Sequence, residues 1–564
     1  MKLAKRSSRD APADEEPPAR PDDDSGDRRP GLRGLRSVPG LLGVALVVIG
    51  AGLALSASGF ERGASARVVG VNAPINAGAR VAGDISAHNS PSLVSNPRNR
   101  ANLVIANKID SPRFSCALHV SFDGGVQWSQ TPIPVPAGEE PKCYAPDAVF
   151  AADGTLHMSF VTLKGRGNVP NAVWLVSSRD GGRTLSDPER VRGRLKFQVR
   201  LAADPAAPRR LYMTWLDAPH VGLFKFTRTG NPIRASRSDD GGATWSAPVG
   251  VNSPSRVRAV APSPAVGPGG QLYVLYLDLG DDRLDYEGGH GGRGGEPYSG
   301  RWKLVLAGSE DRGETWGESV VEQQLVPSER FIAFTPPFPS LAVDRRAGTV
   351  YAGFHDSRRG DPDAYVWKLR RGSDTWSRAK RVNDTPSSND SSQLLPKLSV
   401  APDGRLDVAY LDRRADPADR MTEVSLQASY DGAKSFLPRL RVSDRRFDSR
   451  IGYGSERRMP DLGSRLGLMS TSARALVVWA DTRAGTPASG KQDLARGLAA
   501  FSPPEELPGS AKVVLYVGGL LLALAGIGLI FHAVARRGRT SGAPREPRRV
   551  LPGSLTTRRG ASER

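Results

Sequence analysis

The amino-acid sequence predicts an all-β protein, a β-propeller, with a transmembrane helix on each side. A short turn motif recurs at intervals of 57 to 71 residues, and two apolar segments bracket the region that contains it. The 62 Gly and 45 Pro indicate frequent chain reversal between short strands. A chain of 564 residues is long for one compact core, but a propeller grows by radial repetition and accommodates that length as one domain.

The recurring motif is complete at Ser238-x-Asp240-x-Gly242-x-Thr244-Trp245. Glycine permits positive φ, and the Asp and Ser side chains can bond to nearby backbone amides, so the motif predicts a tight β-turn. The fifth copy has lost its glycine pair, and the sixth keeps the spacing with substitutions. The motif aspartates are Asp123, Asp180, Asp240, Asp311, Asp374 and Asp431.

These motifs resemble the BNR/Asp-box repeats of sialidase-like proteins, over roughly residues 67–501. The resemblance implies a sialidase-like propeller in which each box joins the third and fourth strands of a blade and is structural. Counting repeat units favours seven blades, with six as the alternative. The last unit has no box, and we expect residues 67–74, near the other end of the chain, to supply its fourth strand and close the ring.

A second repeated feature is a β-rich run ending in Asp, which we interpret as the second strand of each unit. A proline precedes each run, as at Pro91, Pro339 and Pro396, and we expect the first strand of the unit to begin after that proline. In a four-stranded meander, the end of strand two lies on the face opposite the box turns. Arginines accompany several of these aspartates, and a guanidinium suits bidentate binding of a carboxylate or sulfate. The alternative is a structural clamp between blades. The predicted ligand-binding residues are Asp356, Arg358, Asp412, Arg414, Asp481 and Arg483.

Asp356, Asp361 and Asp363 crowd oxygen ligands into one loop, as Ca²⁺ requires, although their spacing fits no defined calcium loop. A solvated acidic turn is the alternative, and no other cofactor is expected. The histidines show no pair at zinc-ligand spacing.

The resemblance also implies exo-sialidase chemistry, with three arginines on the substrate carboxylate, a tyrosine–glutamate nucleophile and an aspartate acid–base. The Arg-Ile-Pro motif that supplies one arginine is missing, and Tyr453 and Glu456 are the nearest candidates for the tyrosine–glutamate pair. We therefore expect first a propeller that binds a carbohydrate or other anionic ligand on the face opposite the boxes. A glycoside hydrolase and a cell-envelope scaffold are the alternatives.

The apolar segments 38–58 and 511–535 each approach the length that spans a bilayer as a helix. Arginines precede the first and follow the second, which predicts cytoplasmic tails at 1–37 and 536–564 and an extracytoplasmic body at the cell membrane. Residues 502–510 are interpreted as a linker. The alternative for the first segment is a signal peptide cleaved near Ala64 to Ala66. Because the body is exported, Cys116 and Cys143 are expected to form a disulfide.

The net charge of +19 does not by itself indicate nucleic-acid binding. Nine arginines against two glutamates lie in the C-terminal tail, and the body has no basic helix and no basic-aromatic stripe. The membrane and a glycan or other anionic ligand are the expected partners.

Overall fold

The computed structural model describes residues 37–59, 63–81, 83–218, 232–282, 298–328, 336–386, 390–455, 460–504 and 509–540. It divides into two compact units, the helical one formed by the two ends of the chain and the β one formed by residues 63–504. The helical unit contains α1 (Val38–Gly59) and α2 (Gly509–Thr540), both long and apolar enough to cross a membrane.

The β unit is a seven-bladed propeller, which confirms the predicted fold and the favoured blade number. Blades 1 and 2 comprise β2 (His88–Ser95), β3 (Leu103–Ile109), β4 (Ser115–Ser121), β5 (Ser129–Thr131), β6 (Cys143–Phe150), β7 (Leu156–Lys164), β8 (Val169–Ser178) and β9 (Glu189–Arg192). Blades 3 and 4 comprise β10 (Lys196–Ala203), β11 (Leu211–Asp217), β12 (Ile233–Ser238), β13 (Val249–Gly250), β14 (Ala259–Val266), β15 (Leu272–Asp278), β16 (Trp302–Ser309) and β17 (Gly317–Leu325).

Blades 5 and 6 comprise β18 (Ser340–Val343), β19 (Val350–Asp356), β20 (Asp363–Leu369), β21 (Lys380–Arg381), β22 (Gln393–Val400), β23 (Leu406–Asp412), β24 (Met421–Ser429) and β25 (Leu440–Arg441), and β26 (Phe447–Asp448) pairs with β24. Blade 7 comprises β27 (Gly467–Ser470), β28 (Arg474–Asp481), β29 (Asp493–Ser502) and β1 (Ser65–Pro74). The first strands of successive blades contact one another from β2 to β27 and back to β2, so the ring is closed around an axis.

The ring closes where the sequence predicts. Strand β1 pairs antiparallel with β29, from Ser65 opposite Ser502 to Pro74 opposite Ala495, and becomes the outer strand of blade 7. The two ends of the propeller chain therefore leave the ring side by side.

The innermost strands share a bulge that the sequence analysis did not predict. In five blades a residue other than glycine adopts positive φ and the ladder register shifts there, as at Ala145 (φ 50°) and Leu395 (φ 53°). In four of these the next residue is proline, which has no N–H to donate and is tolerated in a strand only at an edge or a bulge. The prolines that we expected to precede these strands thus lie inside them, because the inner edge faces the axis and needs no ladder partner.

The repeated turns have one hydrogen-bond pattern. In blade 3, Ser238 Oγ donates to Asp240 Oδ1 over 2.8 Å, and the backbone N–H groups of Gly242 and Thr244 donate to Ser238 Oγ and Asp240 Oδ1 over 2.8 and 2.9 Å. Trp245 Nε1 donates to the Gly242 carbonyl. Corresponding Ser–Asp and backbone bonds occur at the turns that contain Asp123, Asp180, Asp311 and Asp431. These turns join third to fourth strands, as predicted.

The blades pack through apolar faces, and the largest fully buried side chains include Trp215, Trp302, Trp367 and Trp479. Cys116 in β4 and Cys143 in β6 form the expected disulfide, with their Cα atoms 5.8 Å apart, and join blade 1 to blade 2.

Candidate functional site

One position of the innermost strands repeats around the propeller and forms a ring of side chains. In five blades the innermost strand has eight residues, and the ring residue is the fifth of them. It stands two positions after the residue with positive φ. In blade 7, Arg465 stands two positions after Gly463 (φ 96°), and in blade 5 Ser340 opens β18. In blade order, this axial ring consists of Ser92, Asp147, Arg200, Ser263, Ser340, Lys397 and Arg465.

The axial ring links neighbouring blades. Ser92 Oγ donates to Asp147 Oδ1 over 2.5 Å, and the Leu201 N–H donates to Asp147 Oδ2 over 2.8 Å. Ser263 Oγ donates to the Pro339 carbonyl over 2.7 Å. Ser340 Oγ accepts from the Leu398 N–H over 2.8 Å, so the three serines and the carboxylate of the ring all have protein partners.

Two arginines contact one carboxylate at the axis, and a lysine lies beside them. Arg200 Nη1 lies 3.0 Å from Asp147 Oδ1, and Arg465 Nη2 lies 3.8 Å from it. Arg465 also donates to the carbonyls of Pro91 and Pro146, while Nε of Arg200 is buried without a hydrogen-bond partner among the described residues. Lys397 completes the group, which carries a net charge of +2 with Asp147 ionised.

These cations line a cavity of about 50 Å³ on the axis. Its wall comes from the innermost region of blades 3 to 7, and the Phe338 ring covers one side, with the guanidinium carbons of Arg200 and Arg465 lying 5.3 and 5.9 Å from the ring centre. The volume suits a few water molecules or one small anionic group and excludes a sugar ring. A ligand that uses this cavity must insert a protruding group.

The electrostatics of the cavity favour an anion. Burial, followed by the nearby Arg200 and Arg465, lowers the pKa of Lys397 to about 8. Burial and Arg200 lower the pKa of Arg465 to about 9. Both groups remain charged at neutral pH, and each would gain from a bound negative charge, because like charges at close range disfavour their protonated forms.

A second polar cluster lies where the second strand of blade 1 ends, on the face opposite the box turns. Lys108 Nζ contacts Asp110 Oδ2 at 2.8 Å and Asp461 Oδ2 at 3.2 Å, and Asn89 Nδ2 donates to Asp110 over 2.8 Å. Burial raises the pKa of Asp110 although Lys108 opposes the shift. Burial also raises the pKa of Tyr144, which interacts electrostatically with Lys108, both carboxylates and Arg465 of the axial ring.

The predicted Asp–Arg pairs form clamps. In each, the arginine Nε donates to the aspartate that ends the second strand, over 2.8 to 2.9 Å, and the guanidinium reaches a carboxylate of the preceding blade. None of these residues lines the axial cavity. The clamps are Asp356 with Arg358 and Glu322, Asp412 with Arg414 and Asp384, and Asp481 with Arg483 and Asp444.

The other predicted site residues are dispersed. Tyr453 forms an isolated bridge with Asp461 and packs edge-on against Phe114, and Glu456 lies outside the described residues. In the described part of the chain, no three His, Cys, Asp or Glu side chains are grouped so that they could hold a metal ion. Asp363 accepts from Asn383 Nδ2 over 2.6 Å, so its carboxylate already has a protein partner. Calcium binding stays a prediction.

Five of the seven residues of the axial ring share a signal in the sequence, whereas Arg200 and Arg465 do not. Each of these five residues directly follows the proline of its repeat unit. That position reads Ser92, Asp147, Ser263, Ser340 and Lys397, and a charged residue there has no place in an ordinary buried strand.

Comparison with known proteins gives structural likeness only. No known protein family and no curated protein matches the sequence. A protein of unknown function from Dyadobacter fermentans DSM 18053 is 15% identical, with a TM-score of 0.42 over 78% of this chain and 99% of that chain. The Hadza microbial sialidase Hz136 is 14% identical, with a TM-score of 0.40 over 71% and 74% of the two chains. A polysaccharide lyase of family PL25, an ulvan lyase, is 11% identical, with a TM-score of 0.44 over 76% and 96%. These likenesses are too distant to assign an activity, so the site's own residues carry the functional conclusion.

Proposed function

We propose that the propeller binds an acidic carbohydrate, or another ligand with a protruding carboxylate or sulfate, on the face opposite the box turns. The acidic group enters the axial cavity, while the rest of the ligand stays outside it near Lys108 and Tyr144. The observation that carries the proposal is the convergence of Arg200, Lys397 and Arg465 on one small cavity with a single carboxylate, Asp147, to balance them. Guanidinium and ammonium groups form strong charge-assisted hydrogen bonds to such anions.

The proposal is tested on an array of sialylated, uronic-acid, sulfated and neutral glycans, with the full chain in detergent. Acidic glycans should be retained and neutral ones should not. Lys397→Gln should weaken retention by about 10-fold or more, since a hydrogen bond to a charged group contributes roughly 1.5–3 kcal/mol. Lys434→Gln removes the same charge from an exposed position in a box turn and should have no effect.

Equal retention by wild type and Lys397→Gln, or retention of neutral glycans alone, would contradict the proposal. Loss of retention in Arg358→Ala with folding intact would place the ligand at the clamps instead. If neither acidic nor neutral glycans are retained, the scaffold alternative is favoured.

A glycoside hydrolase is the second candidate, supported by one observation. Asp110 and Asp461 both lie against Lys108, and burial raises the pKa of Asp110. Two neighbouring carboxyl groups, one of them with a raised pKa, are what cleavage of a glycosidic bond requires. Release of the fluorophore from a fluorogenic sialoside by the full chain, abolished in Asp110→Asn, would favour this activity. Loss of that release in Tyr453→Phe would instead support Tyr453 as the nucleophile, the role suggested by the sequence.

A further inference from the structure

The two apolar helices pack against each other through glycines. Helices α1 and α2 run antiparallel, with Gly43 beside Gly526 and Gly50 beside Gly519. A Cβ atom on Gly43 would lie 2.6 Å from the Gly526 carbonyl oxygen, and one on Gly519 would lie 2.6 Å from that of Gly50. A side chain at any of these four positions would push the two backbones apart, slightly for a small side chain and further for a large one.

The four glycines form one seam. On each helix they stand seven residues apart, which places both on the same face. Other glycines of the same helices, Gly52, Gly518 and Gly528, would meet nothing within 4 Å if they carried a Cβ atom. The close approach is therefore specific to the seam, where small residues let two membrane helices come into contact.

The remaining surface of the helix pair is apolar and outward-facing. The side chains of Val48, Leu520 and Leu521 are 60 to 64% exposed, and neither helix has an acidic residue in its first turn. With the polar backbone satisfied inside each helix, this surface matches the hydrocarbon region of a bilayer.

We propose that α1 is retained in the mature protein as the permanent partner of α2, and that the two cross the membrane as one antiparallel hairpin closed along Gly43, Gly50, Gly519 and Gly526. Cleavage near Ala64 to Ala66 would remove α1 and leave the α2 glycines without the backbone that they contact. A cleaved signal peptide has no need of a matching seam, and its apolar region is shorter, at about 7–15 residues. Helix α1 has a matching seam and is 22 residues long, so it differs from a cleaved signal peptide in both respects.

The seam has a consequence for the exported body. Strand β1 follows α1 after the short segment 60–64, and β29 precedes α2 by the segment 503–508. Since β1 and β29 are the neighbouring strands that close the ring, the retained hairpin anchors both sides of the closure. One proteolytic cut beside either helix would leave the propeller attached to the membrane.

Retention is tested with an N-terminal epitope tag on the full chain. The mature protein should carry the tag, stay in the membrane after alkaline carbonate extraction, and remain membrane-bound after a protease site inserted at 60–64 is cut. Loss of the tag from the mature protein, or extraction of the tagged chain by carbonate, overturns the proposal.

The seam is tested with a cysteine pair, Ala54→Cys with Gly519→Cys. A Cβ atom on Gly519 would lie 3.3 Å from the Ala54 Cβ, close to the spacing of a disulfide. The native cysteines are already paired with each other, so oxidation in native membranes should link the new pair, detected by mass spectrometry of the non-reduced digest. The matched pair Ala54→Cys with Gly518→Cys should link at least 5-fold less.

A second test of the seam places leucine at its glycines and measures the effect on cross-linking. Gly50→Leu or Gly526→Leu, placed in the Ala54→Cys/Gly519→Cys background, should lower the cross-linked fraction several-fold. Gly52→Leu and Gly528→Leu make the same change on outward faces and should leave it unchanged. Equal cross-linking in the two cysteine pairs, or equal effects of seam and outward leucines, overturns the proposal. Neither arm measures glycan binding, so failure here is distinguishable from failure of the proposed function.

Discussion

Lys397 is an amine whose charge is controlled by its surroundings. Burial together with Arg200 and Arg465 lowers its pKa to about 8, whereas an exposed lysine titrates near 10.4. Lys397 is therefore charged below about pH 8 and loses its charge as the pH rises through that value. Competitive acetylation of the full chain from pH 6 to 11, read by mass spectrometry, should give Lys397 a midpoint near 8.

A synthetic lysine-containing peptide, acetylated in the same mixture, serves as the reference and should show a midpoint near 10.4. A Lys397 midpoint in that higher range would contradict the crowding of cations at the axis. Anion binding should weaken across the same pH window in the wild type. In Lys397→Gln that weakening near pH 8 should disappear.

At the residue scale, the sequence indicated which side chains are charged but not which ones meet. Arg358 follows Asp356 by two residues, so their pairing could be anticipated, but its other partner, Glu322, belongs to the preceding blade. Arg200 and Arg465 are separated by more than 260 positions and come together only because the ring closes. The clamps were therefore predictable in part, whereas the axial cluster depends on long-range geometry.

The box turn is the element that the sequence specifies most completely. Its serine can be substituted to measure how much the hydrogen bonds of the turn stabilise the protein. Ser238 is buried, donates to Asp240 and accepts from the Gly242 N–H. Ser238→Ala leaves that N–H buried without a partner, which should lower the free energy of unfolding by about 1–3 kcal/mol. Urea denaturation of the full chain in detergent, followed by tryptophan fluorescence, measures the change.

The turn of blade 5 supplies the matched control. Its Ser373 is exposed, and in the described hydrogen bonds the Ser373 side chain bonds only to Thr375, because the glycine pair has been lost. Ser373→Ala should change the free energy of unfolding by less than about 0.5 kcal/mol. Equal losses in the two variants would mean that the serine–amide bond does not stabilise the box turn.

Elements were predicted where a local rule applied. Gly and Asp in fixed order specify a turn whatever surrounds it, and the expected fourth strand of blade 7 appears as β1. The prediction that the prolines precede the first strands was wrong for most blades. A proline inside a strand would break a ladder hydrogen bond at an edge that faces a neighbouring strand, but not at an edge that faces the axis. Nothing local distinguishes the two cases.

At the scale of the whole molecule, the ring depends on junctions between residues far apart in the chain. Asn72 in β1 donates to the Val442 carbonyl over 3.0 Å and accepts from the Asp444 N–H over 2.7 Å, which ties the closing strand to blade 6. The sequence predicted that the ring closes but could not predict these bonds, since the partners are about 370 residues apart.

Arg405 is a fully buried charge at the junction between blades 6 and 7. Its side chain is fully buried, its Nε and Nη2 donate to Asp407 over 2.8 and 2.9 Å, and its guanidinium reaches the carbonyls of Thr471 and Ser472. The Phe501 ring, from the strand next to β1, lies 3.7 Å from the guanidinium carbon. One side chain of blade 6 thus contacts both the turn between β27 and β28 and strand β29 of blade 7.

Arg405→Met should lower the free energy of unfolding by about 3–5 kcal/mol, because it leaves the Asp407 carboxylate buried without its cation. Arg405→Met combined with Asp407→Leu removes both charges and should recover much of that loss. The control is Arg450→Met, at an arginine that is 58% exposed beside Asp448, and it should lower the free energy of unfolding by less than about 1 kcal/mol. All three are compared by urea denaturation of the full chain. A double variant no more stable than Arg405→Met would mean that the contacts with Phe501 and the blade 7 carbonyls, rather than charge pairing, hold the junction, and the ring would then be closed mainly by packing.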